Sequence, residues 1–242
     1  MIELLELIIF TVCIALIFDF WNGVNDAANS ISTVIATRVL PPMVAVAWAA
    51  WWNFAAAFGF GVSVAHTIGK GIVSTTIIDE PLILSALIGA IILVAGASYL
   101  GLPVSASHSL IGGLIGAAIA KAGYSVLIYS GVIKVLVFII LAPLIGMIIG
   151  FAVMTLVTRI SMRYKVKRNS IIFRRLQLVS AAAYSLGHGT NDAQKTMGII
   201  AILLFSAGYL GDTFYVPFWV IMAAHLAIGL GTLVGGRRVI KT

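Results

Sequence analysis

The sequence predicts an all-α polytopic membrane protein, an inverted repeat with broken helices and a re-entrant hairpin whose second repeat is incomplete. Three observations predict it. Hydrophobic residues make up 61% of the chain and charged residues only 10%, with a mean hydropathy of +1.13, whereas a soluble domain carries about 25% charged residues. Long, near-continuous apolar runs come close to or exceed the roughly 20 residues a helix needs to cross the hydrocarbon. A short polar word also recurs inside this oil, as Gly23-Val24-Asn25-Asp26-Ala27 and Gly189-Thr190-Asn191-Asp192-Ala193, 166 residues apart.

The first run, residues 4–20, is flanked by Glu3 and Glu6 rather than by basic residues and lacks a small-residue cleavage site, so it reads as a retained span and not a signal peptide. Residues 22–37 are small and polar, the pattern of a half-helix or re-entrant piece shielded by protein. Spans follow at 43–62 and 82–100. Residues 104–120 open after Pro103 and are rich in glycine (Gly112, Gly113, Gly116), again suggesting a half-helix or hairpin. A span at 132–157 completes five crossings.

Seven of the fifteen Lys and Arg residues then fall together: Arg159, Arg163, Lys165, Lys167, Arg168, Arg174 and Arg175. This block lies between apolar stretches and has only Tyr164 and Phe173 as aromatics. The positive-inside rule explains it better than nucleic-acid binding does. It is expected in the cytoplasm, against anionic lipid, with the N-terminus outside. Residues 176–186 lead into the second polar word as 7–20 lead into the first, but from the opposite face. Apolar segments at 196–204 and 218–231 follow. The expected organisation is a first repeat at 1–158, a basic cytoplasmic loop at 159–175, and the start of an inverted second repeat at 176–242. Matched words on inverted repeats are the arrangement in which secondary transporters face broken helices around a buried site.

The chemistry resides in the duplicated word. Gly23 and Gly189 allow the backbone to unwind, and the Asn-Asp pair then caps the resuming helix, aiming free N–H groups and a positive dipole end at an anion. The carboxylates of Asp26 and Asp192 suit the opposite charge, because hard cations take carboxylate, amide and carbonyl oxygens. An anion near them is repelled by about 4 kcal/mol per charge pair at 4 Å and an effective dielectric of 20. Cations must therefore bind with it, and the linkage is reciprocal. The competing view is that these side chains only cap or bridge helices; the inverted duplication argues against it.

Ser105, Ser107 and His108 open a helix after Pro103, where ligand coordination and simple N-capping fit equally well. Lys195 aligns with Asn29 and reads chiefly as a neutraliser of Asp192. His188 reads as a hydrogen-bonded structural residue, with a proton relay as the alternative. Asp19, His66 and His225 form no constellation and read as structural. The single cysteine, Cys13, excludes an intrachain disulfide and a cysteine-based metal cluster.

These residues make the chain resemble the inorganic phosphate transporter (PiT) family. The resemblance rests on residues 20–30 (Phe-Trp-Asn-Gly-Val-Asn-Asp-Ala-Ala-Asn-Ser), residues 187–198 (Gly-His-Gly-Thr-Asn-Asp-Ala-Gln-Lys-Thr-Met-Gly), and Pro103-Val104-Ser105-Ala106-Ser107-His108 between them. It implies an alternating-access carrier, not an enzyme, commonly a homodimer in the cell membrane, moving inorganic phosphate with sodium ions or protons and needing no other cofactor. By position it assigns phosphate to Asn25, Asp26, Ser105, Ser107, Thr190, Asn191, Asp192 and Gln194, and sodium to Asn25, Asp26, Asn29, Asn191 and Asp192. Phosphate is expected over sulfate, the rival within the family, because HPO₄²⁻ keeps a proton that a carboxylate can accept. Family members continue past a Gly-Gly-x-Arg-Val-Ile-Lys segment to a second Pro-Val-Ser-Thr-Thr-His hairpin. This chain, ending at Thr242, is therefore expected to be the larger part of such a carrier, or a non-transporting subunit that needs a C-terminal partner. An intramembrane aspartyl protease also needs two membrane aspartates, but its Gly-x-Gly-Asp word is not matched where Asn25 and Asn191 precede the acids.

Overall fold

A computed structural model describes residues 2–59, 61–102, 104–163 and 166–241. Among these residues the regular structure is helical: α1 (Ile2–Ala36), α2 (Pro42–Ala55), α3 (Ser63–Lys70), α4 (Glu80–Leu100), α5 (Ala106–Ala122), α6 (Tyr129–Ser161), α7 (Val166–Ser206) and α8 (Phe218–Lys241), with short 3₁₀ turns between some of them. Helices α1, α4, α6 and α8 are long and apolar enough to cross a membrane. The all-α membrane architecture expected from composition is the one found.

The helices cross around a core drawn mainly from α1, α4, α5, α7 and α8, which buries Phe18, Leu87, Leu110, Met197, Ile200 and Ile228. α1 and α7 run antiparallel: Thr37 meets Gln177, Asp26 meets His188, and Asp19 faces Thr196. The α2–α3 segment runs parallel to α7, with Trp48 Nε1 donating to the Leu178 carbonyl at 3.3 Å and Val64 N donating to Gln194 Oε1 at 2.9 Å. α6 stands apart, apolar all round with none of its residues buried, the surface of a helix solvated by lipid.

Neither polar word breaks its helix, contrary to expectation. α1 and α7 pass through residues 23–27 and 189–193 without interruption. The glycines are there for contact. A Cβ on Gly23 would lie 2.3 Å from the Ile228 carbonyl oxygen of α8, and one on Gly189 would lie 2.5 Å from the Asn53 carbonyl oxygen of α2. Small residues that let helix backbones touch are the usual device of membrane interfaces. Gly23→Ala is accordingly expected to destabilise the detergent-solubilised protein by about 1–3 kcal/mol, seen as a lowered midpoint of thermal unfolding; an unchanged midpoint would refute the contact.

The interruptions lie elsewhere. The segment expected as one span at 43–62 ends its α-helix at Ala55, passes through a 3₁₀ turn at Ala56–Phe58, and resumes as α3 at Ser63. Residues 22–37 are not a half-helix but the second part of α1. The glycine-rich stretch after Pro103 does form a hairpin arm: α5 packs back on α4, closely enough that a Cβ on Gly113 would sit 2.5 Å from the Ala86 carbonyl oxygen. Pro103 itself lies outside the described residues, as do Tyr164, Lys165 and Thr242. The basic stretch is largely helical: Arg159 lies in the last turn of α6, Lys167, Arg168, Arg174 and Arg175 belong to α7, and Arg174 Nη2 donates to the Arg38 carbonyl at 3.0 Å.

The feet of the α4–α5 hairpin are tied by Asp79 and Lys121. The Asp79 carboxylate caps α4 by accepting from Leu82 N at 3.1 Å and also accepts from the Lys121 ammonium. Partial burial alone would raise its pKa, but the Lys121 hydrogen bond and the Leu82 amide outweigh burial and hold it below the usual carboxylate range. Such a group stabilises the fold above its unfolded pKa of about 3.9, and the contribution is lost as pH falls through the lower folded value. Asp79→Ala is expected to cost about 1 kcal/mol at neutral pH and progressively less below about pH 4. Thermal unfolding of both proteins across pH tests this.

Candidate functional site

Helical spacing places a polar stripe on each of the two antiparallel helices. On α1 it comprises Asp19, Asn22, Asp26 and Ser30; on α7 it comprises Ser185, His188, Asp192 and Thr196. Steps of three, four and four residues keep each set on one helix face. The two sets carry the same 166-residue offset as the polar words.

Where the stripes cross, the two carboxylates converge on one imidazole. His188 Nε2 lies 3.2 Å from Asp26 Oδ2 and 3.2 Å from Asp192 Oδ2. The ligand atoms of this trio all lie within 4.8 Å of one another. The other ring nitrogen, Nδ1, lies 3.2 Å from Asn53 Oδ1, while Asn53 Nδ2 donates to Thr232 Oγ1 at 2.9 Å. With its amide nitrogen engaged, Asn53 presents an acceptor to the ring, so both imidazole nitrogens serve as donors. His188 is therefore the central cation of the cluster: it is hydrogen-bonded, as its sequence context suggests, and its partners include both acids.

A second cation closes the other side. The Lys195 ammonium donates to Asp192 Oδ1 and to Ser107 Oγ at the start of α5. Neutralisation of Asp192, the role that sequence favours for this lysine, is what the geometry shows. The hairpin tip also engages α1: Asn25 Nδ2 donates to the Val104 carbonyl at 3.0 Å, and Ser98 Oγ donates to Asn25 Oδ1 at 3.0 Å. Asn25 Nδ2 and Asn29 Nδ2 lie 3.1 and 3.4 Å from Asp26 Oδ1. The cluster is shielded but not sealed, with Asp26, Asp192 and Lys195 side chains 21%, 13% and 15% exposed.

The other expected site residues are placed differently. Ser105 is the N-cap of α5, its hydroxyl accepting from His108 N at 3.3 Å, so capping describes Ser105 and contact with Lys195 describes Ser107. Thr190 bonds back to the Leu186 carbonyl at 2.7 Å. Asn191 is exposed and bonds to the Gly187 carbonyl at 3.0 Å, outside the cluster. Gln194 is buried and mends the α2–α3 break, donating to the Gly61 carbonyl at 2.6 Å and accepting from Val64 N. Asn53 and Ser98 are site residues that the sequence motifs do not single out, and His188, which lies within the second motif, is not assigned to the site by it. For His188 a signal exists: it sits four residues before Asp192, one helical turn away on the same face.

Two carboxylates, three carboxamides (Asn25, Asn29 and Asn53), two hydroxyls (Ser98 and Ser107), an ammonium and an imidazole thus gather beside the N-terminus of α5, whose first-turn amides at Ala106 and Ser107 have no intrahelical acceptor. Such a site offers oxygen ligands to a hard cation and donors to an oxyanion side by side.

Known proteins resemble the chain closely. A family model described as the phosphate transporter family matches residues 22–242. A relative from Rhizobium meliloti is 49% identical over 236 residues, covering 98% of this chain and 71% of that protein. One from Bacillus subtilis is 43% identical over 241 residues, covering 99% and 72%. Both bear the name "probable low-affinity inorganic phosphate transporter". A solved structure titled "The sodium-dependent phosphate transporter" superposes with a TM-score of 0.85 at 22% identity, covering 98% of this chain and 77% of that one, and shows the same fold. The chain belongs to the phosphate transporter family, a family of membrane transporters and not of enzymes.

Proposed function

We propose that the chain is a symporter that carries inorganic phosphate across the cell membrane with a coupling cation, sodium or a proton, by alternating access. The observation that carries this reading is the convergence of Asp26 and Asp192, from antiparallel helices, on one cluster that also holds Lys195 and Ser107. An anion there meets about 4 kcal/mol of repulsion from each carboxylate at 4 Å and a dielectric of 20. Lys195 and His188 offset part of that, and a cation on the carboxylate and carboxamide oxygens of Asp26, Asn25, Asn29 and Asp192 offsets the rest. Phosphate is held by the Lys195 ammonium, the Ser107 hydroxyl and the α5 N-terminus, with Ser105 fixing that terminus. Thr190, Asn191 and Gln194 act from the rim, Gln194 by stabilising the break beside the site.

The relatives' names support phosphate as cargo, and the structural neighbour's title supports sodium as the partner ion. The antiparallel stripes at a common offset support an inverted repeat with the site on its axis. The N-terminus lies outside and residues 159–175 lie in the cytoplasm. This parity holds whether the α4–α5 hairpin spans the bilayer twice or re-enters from one face, since either contributes an even number of crossings. The carrier works as a homodimer.

The test is labelled phosphate uptake into proteoliposomes under imposed sodium and pH gradients, with sulfate as competitor. Concentrative uptake driven by either gradient is the expected result. Uptake indifferent to both gradients, or sulfate uptake unaffected by excess phosphate, would overturn the reading.

A further inference from the structure

The turn that joins α1 to α2 holds an arginine where backbone geometry favours glycine. Arg38 has a φ of 53°, in the left-handed region, and no other non-glycine residue among those described has a positive φ. The turn closes the C-terminus of α1: Val39 N donates to the Val34 carbonyl at 3.1 Å and Arg38 N to the Ile35 carbonyl at 3.0 Å. This pair of bonds needs a left-handed residue at position 38, a place usually taken by glycine and sometimes by asparagine, because a Cβ is strained there. A long side chain kept at such a position points to a use for that side chain. Arg38 is exposed.

Helix α7 brings a second guanidinium to the same turn. Arg174 Nη2 donates to the Arg38 carbonyl at 3.0 Å. One turn further on, the Gln177 amide donates to the Thr33 carbonyl at 2.8 Å and accepts from Thr37 Oγ1 at 3.0 Å, which fixes α7 against the end of α1. Arg175 follows Arg174, and both are exposed. No acid balances these charges. The chain has no acidic residue between Asp26 and Asp79 or between Glu80 and Asp192. Asp26 and Asp192 lie twelve and eighteen residues from Arg38 and Arg174, roughly 18 and 27 Å along their helices, and are engaged with His188 and Lys195.

The surroundings are apolar. At 41 residues α7 is about 60 Å long, twice the roughly 30 Å of bilayer hydrocarbon, so its arginine-bearing first turns project to the level of the lipid headgroups. There Ile171, Phe173 and Leu176 are exposed beside the arginines, and Met43 and Val44 are exposed at the start of α2. Unpaired guanidiniums bordered by exposed apolar side chains suit a molecule with an anionic head and an apolar body.

We propose that Arg38 and Arg174, with Arg175 beside them, bind the phosphodiester headgroup of an anionic phospholipid, whose acyl chains lie on the exposed side chains of the first turns of α2 and α7. A guanidinium is a planar fork of donors matched to phosphate oxygens, and Arg174, with Nη2 on the Arg38 carbonyl, still has further N–H groups to offer. The composition of residues 159–175 argues only for general attraction to anionic lipid. Arg38 lies outside that block, and its contact with Arg174 makes one defined site of two distant segments. A lipid held there ties together the cytoplasm-side ends of the two helices that carry Asp26 and Asp192. The binding rests on the membrane placement of the chain and not on the phosphate-symport reading.

The experiment uses the full chain, stripped of lipid in detergent and free of phosphate. Phosphatidylglycerol and phosphatidylcholine with identical acyl chains are titrated in, bound lipid is counted by native mass spectrometry, and the thermal unfolding midpoint is followed in parallel. The expected result is saturable retention of phosphatidylglycerol, a raised midpoint, and little retention of phosphatidylcholine. Arg38→Asn suits the left-handed turn better than arginine does, so its midpoint without lipid is expected to be unchanged or higher, while its affinity for phosphatidylglycerol falls about tenfold. Arg174→Gln is expected to lose affinity to a similar degree, and Lys134→Gln, which removes the same charge at the start of α6, is expected to lose none. Equal retention of the two lipids, unchanged phosphatidylglycerol affinity in Arg38→Asn, or an equal loss in Lys134→Gln would overturn the proposal. So would a rise in midpoint caused by inorganic phosphate alone and abolished by Arg38→Asn, which would give the site to a free anion. Should Arg174→Gln not fold, the comparison of lipids and Arg38→Asn still decide. Because the site is read in the absence of phosphate, a different cargo would leave the result standing.

Discussion

Asp192→Asn is expected to reduce gradient-driven phosphate uptake by at least a hundredfold, and Asp26→Asn to do the same, while both variants remain extractable and folded. Each carboxylate oxygen facing His188 at 3.2 Å becomes part of a neutral amide, which removes a negative charge without emptying volume. Core packing is untouched, because the buried apolar cluster comes from other faces of α1 and α7. What is lost is the attraction for the coupling cation. A change of one charge at 4 Å is worth about 4 kcal/mol at an effective dielectric of 20, so a hundredfold loss is a conservative expectation. Size-exclusion behaviour and uptake are measured on the same preparations. Normal uptake with normal cation dependence in both variants would remove the carboxylates from the mechanism.

Lys195→Gln is expected to act on the other ligand. It removes the only ammonium bonded to both Asp192 and Ser107 among the described residues. A charge-assisted hydrogen bond is worth about 1.5–3 kcal/mol, so the phosphate concentration for half-maximal uptake should rise roughly 10–150-fold. The maximal rate should fall less, since the variant still binds at high phosphate. Removing the ammonium also leaves Asp192 more dependent on the coupling ion, so cation dependence should steepen. A variant with unchanged phosphate affinity and lowered maximal rate would instead make Lys195 a structural counter-ion.

Much of the candidate site is legible in the order of the residues. The two polar words and the serines after Pro103 stand out because a charged or polar residue inside an apolar run is costly and rarely incidental. Their convergence fits the inverted reading of the words: α1 and α7 run antiparallel, and Asp26 and Asp192 meet where they cross. His188 escapes notice for a local reason. Taken as a residue beside a turn, it has no periodic partner; taken as part of an unbroken helix, it falls one turn before Asp192 and between the two acids. Gln194 is the reverse case. Its place in the motif suggests a ligand, yet its amide is occupied by the backbone of Gly61 and Val64, groups whose need for a partner arises only because α2 stops and α3 starts there.

The sequence by itself determined the membrane environment, the helical class, the paired acidic words and the family, because these depend on composition and on residue order, which local solvent and backbone preferences act on directly. Only the tertiary structure decided what the glycines do. Gly23 and Gly189 are compatible with an unwound turn and with a helix pressed against a neighbour, and nothing near them in the chain distinguishes the two. The Ile228 and Asn53 carbonyls that settle the matter come from more than a hundred residues away. The same distance in sequence separates Asp26 from His188, and Asp19 from Thr196 and the α7 charges that act on it. Charge pairing and close packing are properties of neighbours in space, and in this protein the decisive neighbours meet only once the bundle is assembled.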